Sequence, residues 1–306
     1  MGYTVKDRII RTPDGISIYD SENGITLRLN HSEASSLLGI SDIAEDYECP
    51  ETVHLELTSR CNIDCPYCYV PRDSCELGTK KWEAIIDQLD DLGVFQLTFG
   101  GGEPFLRNDI SHLARYARDR GVNVTVTTNG TLLDSASIRD LQEFRQVNIS
   151  YHEEASRNAF RIDETLRRLS GENVSTGISL IMSKQYLSQV GYIADLARET
   201  HSQLLLLTYK PVGNDSENCV EVKRIRSIAE NLSKDGVSVG IDSLTNGKCL
   251  QKESFCVISS SGEVFPCSFI RQAMGNITCQ SIREIWADRG KKIECPYSDM
   301  LKGNSP

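Results

Sequence analysis

The chain has 306 residues, of which 39% are hydrophobic and 25% charged, as expected for a globular protein with one large and one small domain. A formal net charge of −10 argues against nonspecific binding to nucleic acid or to an anionic membrane surface. The eleven cysteines, together with an N-terminus that has no apolar signal core, predict a cytoplasmic protein whose thiols serve metals or catalysis. The longest purely apolar run, Leu204–Leu207, is the length of a strand and predicts no membrane span.

Residues 1–48 predict a small β-rich extension. Asp14-Gly15 and Asn23-Gly24 are typical turn dipeptides, and they separate segments with strand-like alternation. The sequence from His31 to Gly39 then predicts a short helix that ends at the glycine.

Residues 49–235 alternate strand-like and helix-like segments. Short apolar or β-branched runs predict six strands, at 53–57, 95–99, 122–128, 146–150, 174–181 and 203–209. Charged stretches with helical periodicity follow them, at roughly 80–92, 109–120, 134–144, 158–169, 186–200 and 217–234. Six β-then-α units predict an α/β fold, a parallel sheet covered by helices. Because a complete eight-fold barrel takes about 250 residues, we predict a partial (β/α)6 barrel.

Residues 236–306 predict a C-terminal extension. The sequence "CVISSSGEVFPC" predicts a β-hairpin that turns at Ser261-Gly262. "SIREIW" begins a last helix at Ser281.

Three cysteines, Cys61, Cys65 and Cys68, lie in one short loop directly after the first barrel strand. A structural zinc site usually takes two separated ligand pairs, and no second pair follows nearby. On a four-iron cluster, three cysteine ligands leave one iron open for a substrate or cofactor. Since the loops after barrel strands build active sites, the triplet favours a catalytic iron–sulfur site.

This Cys-x3-Cys-x-aromatic-Cys loop resembles the signature of the radical S-adenosylmethionine (SAM) superfamily. The resemblance implies that Cys61, Cys65 and Cys68 hold a 4Fe–4S cluster whose open iron binds the amino and carboxylate groups of SAM. It also implies that Tyr67 lies beside the adenine.

The second predicted strand ends in "GGGEP", which matches the Gly-Gly-Glu motif of the same superfamily. The match implies that Gly101, Gly102 and Glu103 contact the methionyl amino group of SAM. Polar residues at the ends of the third and fourth strands occupy places where the superfamily often contacts the ribose or methionyl part, with ordinary strand-end residues as the alternative: Thr128, Asn129 and Ser150.

The spacing Cys249-x12-Gly-x4-Cys267 resembles the first half of the SPASM or twitch extension of radical SAM enzymes. The resemblance implies an auxiliary 4Fe–4S cluster held by Cys249, Cys267 and Cys295. Its fourth ligand is either Cys256 or absent, because Ser298 stands where a closing Cys-x2-Cys pair would end. The alternative is a hairpin with buried cysteines and no cluster.

The resemblance implies reductive cleavage of SAM to a 5′-deoxyadenosyl radical, which abstracts hydrogen from the substrate. We predict a radical SAM oxidoreductase or maturase that crosslinks, epimerises or oxidises a peptide, because residues 24–39 resemble one strand and helix of a peptide-recognition module. A one-electron donor such as flavodoxin or ferredoxin is the implied partner. Cys219, after the sixth predicted strand, is a candidate hydrogen donor or an incidental loop thiol.

Two alternatives remain open at this stage. The first is a radical SAM dehydrogenase or cofactor-biosynthesis enzyme that acts on a small molecule. The second is a non-catalytic iron–sulfur electron carrier, which would have no use for the Gly-Gly-Glu motif.

Overall fold

A computed structural model describes residues 8–20, 25–40, 44, 47–72, 75–151, 161–211, 216–246, 251–289, 295 and 297. Within these residues the chain forms a three-stranded sheet and a ten-stranded sheet. The predicted turn at Asn23-Gly24 lies outside them.

The N-terminal sheet is antiparallel and is followed by one helix: β1 (Arg8–Thr12), β2 (Gly15–Asp20), β3 (Ile25–Asn30) and α1 (His31–Leu38). The hairpin predicted at Asp14-Gly15 is present, with Thr12 paired to Gly15. Asn30 caps α1 in a capping box with Glu33. The Arg8 guanidinium donates to the Val94 carbonyl at 2.8 Å, which attaches this sheet to the rest of the molecule.

Six parallel strands, adjacent in chain order, form the centre of the large sheet: β4 (Thr52–Thr58), β5 (Gln96–Gly101), β6 (Asn123–Thr128), β7 (Gln146–Ser150), β8 (Thr176–Met182) and β9 (Gln203–Thr208). A helix follows each strand: α2 (Thr79–Leu92), α3 (Ile110–Arg118), α4 (Ile138–Leu141), α5 (Ile162–Gly171), α6 (Val190–Glu199) and α7 (Val222–Lys234). Since parallel β-α-β crossovers are right-handed in almost all proteins, strands that are adjacent in chain order place their helices on one face of the sheet. The predicted fold of six β/α units is confirmed.

One predicted helix is much shorter than expected. In place of a helix over 134–144, the chain forms a 3-10 turn, Leu133–Ser135, and the single-turn α4. Ala136 and Ser137 between them have extended backbone, which interrupts the helix.

The alternating pattern of β4 shows how the sheet separates apolar and polar side chains. Val53, Leu55 and Leu57 are fully buried in the core beneath the helices. His54 and Glu56 lie at the intervening positions and point to the opposite face, since successive side chains of a strand alternate. The face of the sheet opposite the helices therefore carries buried polar side chains, among them His54 and Glu56.

The C-terminal segment adds four strands to the same sheet: β10 (Val239–Ile241), β11 (Phe255–Ile258), β12 (Glu263–Phe265) and β13 (Gly275–Asn276). The predicted hairpin at Ser261-Gly262 joins β11 to β12, and β11 pairs in parallel with β4. Short helices complete this region: α8 (Ser243–Asn246), α9 (Gln251–Ser254) and α10 (Ile282–Ala287). The extension therefore continues the barrel sheet, while its boundary at 235/236, like that at 48/49, stays a prediction.

In the described part of the chain, no helix combines the length and the apolar character that crossing a membrane would require.

Candidate functional site

The C-terminal ends of parallel strands share one edge of a sheet, and the three-cysteine segment Cys61–Cys68, here called the cysteine loop, leaves β4 at that edge. The amide of Cys68 donates to the carbonyl of Cys65 at 3.1 Å, which folds the loop back on itself. Cys61 and Cys65 are half-buried and Cys68 is exposed, and none of the described cysteines forms a disulfide. The three predicted cluster ligands are therefore reachable from outside.

The cysteine loop is fixed by side chains from two sides. Asn129, which follows β6, donates its side-chain amide to the Asn62 side chain at 2.8 Å, and that nitrogen lies 3.7 Å from the Cys61 sulfur. Arg72 donates to the carbonyls of Cys61 and Ile63 at 3.1 and 2.7 Å. The predicted cofactor residue Asn129 thus lies beside the first predicted ligand.

The glycines after β5 press against the backbone that leads into the cysteine loop. The amides of Gly102 and Glu103 donate to the carbonyls of Thr58 and Arg60, both at 2.7 Å. Gly101 has φ +113°, and a Cβ atom on Gly101 or Gly102 would overlap those same carbonyl oxygens. Close approach of two backbone segments is thus one reason for glycine here, and the predicted contact with SAM stays a prediction.

Glu103 is completely buried behind these glycines. Its carboxylate accepts hydrogen bonds from the Thr128 hydroxyl at 2.8 Å and from the amides of Asn129 and Phe105 at 2.8 and 3.1 Å. Burial raises the pKa of Glu103, and these hydrogen bonds only partly oppose the rise. An ionised carboxylate has about four acceptor sites, so these three donors leave about one unused.

Tyrosines form an aromatic wall at the ends of β7, β8 and β9. The hydroxyl of Tyr67 lies 3.3 Å from that of Tyr186, and its ring meets Tyr209 edge-on at 6.4 Å. Tyr151 follows the predicted cofactor residue Ser150 and packs edge-on against Tyr186 at 5.8 Å. Tyr67 therefore connects the cysteine loop directly to the ends of β8 and β9, and through Tyr186 to the end of β7.

Cys267 and Cys295 come together near the end of the described chain. Both pack in a small cluster with Ile270. Burial raises the pKa of Tyr297, and the thiols of Cys267, Cys295 and Cys219 add to the rise, so all three lie near one phenol. Cys219 is also held in a β-bridge with Ser183 beyond the end of β8.

Cys256 packs in the main core, whereas Cys267 and Cys295 belong to a separate small cluster. It lies on β11, paired with Val53, and is completely buried in the main core. Burial raises the pKa of its thiol, and the nearby Cys49 adds to the rise. The structure therefore does not group Cys256 with the other predicted auxiliary ligands, and Cys249 lies outside the described residues.

The donor chemistry of the cysteine loop fits an iron–sulfur cluster. Thiolates favour soft sites such as Fe–S clusters and zinc. Among the residues that the structure describes, no three His, Cys, Asp or Glu side chains surround a point as ligands of one ion would. A cluster spreads its cysteines over different irons, so accessible thiols on one loop suit a cluster better than a single zinc ion.

A partly buried ion pair near the cysteine loop was not predicted from sequence. Arg271 donates to both carboxylate oxygens of Glu56, at 2.7 and 3.0 Å. Next to it, His54 and Ser268 are buried with the His54 Nδ1 3.5 Å from the Ser268 hydroxyl. For His54 and Glu56 a sequence signal exists in "VHLELT", where polar residues alternate with apolar ones.

A cavity of about 500 Å³ lies elsewhere, lined by Ile9, Cys49, Leu92 and Trp286 among others. Cys49 precedes β4 and Leu92 ends the helix that leads into β5, so the cavity lies at the N-terminal ends of the strands. It is separate from the candidate site.

Comparisons with known proteins agree with the site. The family model described as the radical SAM superfamily matches residues 55–180, and the iron–sulfur cluster-binding SPASM domain matches residues 249–298. The AdoMet-dependent heme synthase of Methanosarcina barkeri is 28% identical over 83% of this chain and 87% of its own length. The PqqA peptide cyclase of Gluconobacter oxydans is 26% identical over 78% of this chain and 76% of its own length.

Solved structures share the fold. SuiB of Streptococcus suis, in crystals with S-adenosylmethionine and with its precursor peptide SuiA, covers 99% of this chain and 94% of its own, at 14% identity and TM-scores of 0.76 and 0.77. The radical SAM match implies a 4Fe–4S cluster and SAM as cofactors, and the SPASM match implies an auxiliary iron–sulfur cluster. The chain is thus an enzyme of the radical SAM superfamily with a C-terminal SPASM-type cluster-binding domain.

Proposed function

We propose that this enzyme modifies an unactivated C–H position of a peptide, by crosslinking, epimerisation or oxidation. The observation that carries the proposal is the open edge of the N-terminal sheet. β3 is an edge strand, and its residues Ile25 and Leu27 are 62% and 52% exposed. Leu37 on the adjoining α1 is 68% exposed.

An exposed strand edge is a template for another strand, and proteins normally protect it with charge, proline or a covering element. Among the described strands none pairs with the outer edge of β3, and its exposed side chains include the apolar Ile25 and Leu27 as well as the charged Arg28. Extended peptides bind such edges by adding a strand, with the main chain giving affinity and alternate side chains giving specificity. A segment of the substrate peptide would therefore pair with β3 while another segment reaches the cysteine loop.

Relatives support a peptide substrate. The PqqA peptide cyclase carries a peptide substrate in its name, and the SuiB crystal contains a precursor peptide. Both are similar to this chain over most of its length. The domain division at 48/49 and 235/236 is part of the same proposal, since it separates peptide binding, SAM chemistry and the auxiliary cluster.

When bound, the cluster and SAM supply one-electron bond cleavage and abstraction of a hydrogen atom. In our proposal Cys61, Cys65 and Cys68 hold the cluster. Glu103, anchored by three hydrogen bonds, binds the SAM ammonium through its remaining acceptor site. The tyrosines around Tyr67 exclude water from the reacting groups.

We further propose a ferredoxin- or flavodoxin-type electron donor as partner and the cytoplasm as location, because cysteine-held clusters need a reducing compartment. Gly101, Gly102, Thr128 and Ser150 complete the proposed cofactor contacts. Cys219 stays a proposed hydrogen donor.

A small-molecule substrate is the second candidate. It is favoured by the similarity to the AdoMet-dependent heme synthase, whose name specifies a product other than a peptide. The exposed edge of β3 distinguishes the two, since a small molecule has no need of a strand-pairing surface.

The test is conversion of a peptide encoded by a short reading frame beside the gene. Reduced, reconstituted enzyme with SAM in D₂O should change the mass of that peptide, since crosslinking and oxidation remove hydrogen and epimerisation, which otherwise conserves mass, introduces deuterium. Leu27→Glu should weaken peptide binding by at least about 10-fold, the effect of losing roughly 1.4 kcal/mol. Ile9→Glu is the matched control, since Ile9 is 50% exposed on β1, at the other edge of the same sheet. An unchanged peptide, together with conversion of a porphyrin, would favour the small-molecule alternative.

A further inference from the structure

We propose that Arg271 is a positioning residue shared by the two cysteine-bearing regions. Its side chain fixes both ends of the cysteine loop to the segment that carries Cys267. The inference rests on the cluster assignments under Proposed function. It adds that one side chain, which is not a cluster ligand, influences both cluster sites.

The first end of the loop is held through Glu56. This residue lies on β4, the strand that runs into Cys61, and it is only 2% exposed. The two Arg271–Glu56 bonds, at 2.7 and 3.0 Å, engage both carboxylate oxygens. Such a bidentate pair fixes orientation as well as distance.

The second end is held through Tyr69, which directly follows Cys68. Arg271 donates to the Tyr69 carbonyl at 3.4 Å, and its guanidinium lies 5.4 Å from the centre of the Tyr69 ring. The same guanidinium lies 5.0 Å from the Phe265 ring on β12. Arg271 therefore contacts residues on both flanks of the cysteine loop and on the C-terminal hairpin.

Tyr69 in turn packs on the C-terminal segment. Its ring lies 4.8 Å from that of Phe269, and its hydroxyl is hydrogen-bonded to Ser268. Both partners follow Cys267 directly in the chain. The contacts form a closed circuit from β4 through Arg271 to Cys267 and back through Tyr69 to Cys68.

The Glu56 side chain in this circuit is buried and that of Arg271 is 23% exposed, so their charges act through a medium of lower dielectric constant than water. Charge, hydrogen bonding and solvent exposure set the electronic properties of iron–sulfur clusters. Loss of the Arg271 charge, or a shift of its geometry, is therefore expected to change both cluster sites. A residue that only packs the hairpin against the barrel would change the C-terminal site alone.

Lys210 provides a matched control. Its ammonium is paired with Asp242 at 2.9 Å and lies 4.7 Å from the Phe269 ring. It is thus a second buried cation beside the C-terminal segment, at the end of β9 rather than on the flanks of the cysteine loop.

The experiment records electron paramagnetic resonance spectra of dithionite-reduced, reconstituted protein in two backgrounds. Cys61→Ala/Cys65→Ala/Cys68→Ala retains the auxiliary cluster, and Cys267→Ala/Cys295→Ala retains the SAM-binding cluster. Arg271→Met should shift the g values in both backgrounds, Arg271→Lys should shift them less, and Lys210→Met should shift them only where the auxiliary cluster remains.

The double variant Glu56→Leu/Arg271→Met removes both charges and guards against misfolding caused by an unpaired buried carboxylate. It too should shift both spectra. A shift in one background only, or in neither, overturns the inference. If one of the two backgrounds binds no cluster, the cluster assignment is wrong, and the inference about Arg271 fails with it.

Discussion

The cysteine loop and the C-terminal cysteine region differ in how their thiols are brought together. Cys61 and Cys68 lie on one short loop and have reachable thiols. Cys267 is buried, and Cys295, which follows it at a distance in sequence, packs against the same small cluster. A short loop fixes its ligands by local spacing, whereas the second site depends on pairing of β11 with β4 and on the contacts of Arg271.

The largest expected effect is the loss of SAM cleavage when only the cysteine loop is changed. Cys61→Ala/Cys65→Ala/Cys68→Ala should abolish formation of 5′-deoxyadenosine, because the proposed open iron belongs to the cluster that these three cysteines would hold. The assay is chromatography of 5′-deoxyadenosine after reduction in the presence of SAM. Continued formation of 5′-deoxyadenosine would mean that SAM is cleaved at another site.

The next effect tests which thiols belong to the second region. Cys267→Ala should remove about half of the iron, since one of two four-iron clusters is lost. Cys256→Ala should keep all of it and instead lower the free energy of unfolding by about 1 kcal/mol, through the small cavity left in the core. Iron analysis and denaturant titration measure the two outcomes, and loss of iron in the Cys256 variant would make that thiol a ligand.

A smaller effect is expected at Glu103. Replacement by Gln should weaken SAM binding by about 1.5–3 kcal/mol, the range for a hydrogen bond to a charged group. It should also lower the free energy of unfolding by about 1–3 kcal/mol, because the amide NH₂ would face a donor such as the Asn129 amide.

Calorimetry with SAM on cluster-free protein measures the first quantity, and urea denaturation the second. Thr79→Ser, which retains the hydroxyl that bonds Asp109 away from the site, is the control. Unchanged SAM affinity with lower stability would restrict Glu103 to holding β5 and β6 together.

The smallest effect concerns pH. Burial lowers the pKa of His54, so below about pH 6.5 the unfolded chain binds a proton that the folded chain does not. Stability should therefore fall as pH decreases from about 6.5, by at most about 1.4 kcal/mol per pH unit from this group. His54→Leu should make that dependence shallower, while His201→Asn, an exposed control, should not. Equal slopes in all three proteins would contradict the buried, neutral histidine.

Much of this architecture is predictable from local sequence. Runs such as "VHLEL" give β4, and "QVNIS" gives β7 at its observed ends, because apolar side chains must alternate or be buried. The parallel pairing of β11 with β4 is not predictable, since it joins residues far apart in sequence. Nor is the Arg271–Glu56 pair, because an arginine in a loop gives no local sign of its partner.

The predicted cluster ligands also divide into those that local sequence indicates and those that depend on contacts distant in sequence. From sequence Cys256 is a candidate fourth ligand of the auxiliary cluster, but a cysteine is also a small hydrophobic residue, and here it packs in the core near Cys49. Spacing alone does not distinguish these two roles. The neighbours of Cys256 favour the core role, since it lies in the main core whereas Cys267, which is also buried, packs with Cys295, and these neighbours depend on the whole fold.

The measurement that tests the central claim most directly is the iron content of anaerobically reconstituted protein. Two cluster sites predict about eight irons per chain in the wild type and about half in the Cys61→Ala/Cys65→Ala/Cys68→Ala variant. A wild type that never exceeds about four irons would contradict the account, because the C-terminal cysteines would then be structural and the enzyme would hold a single cluster.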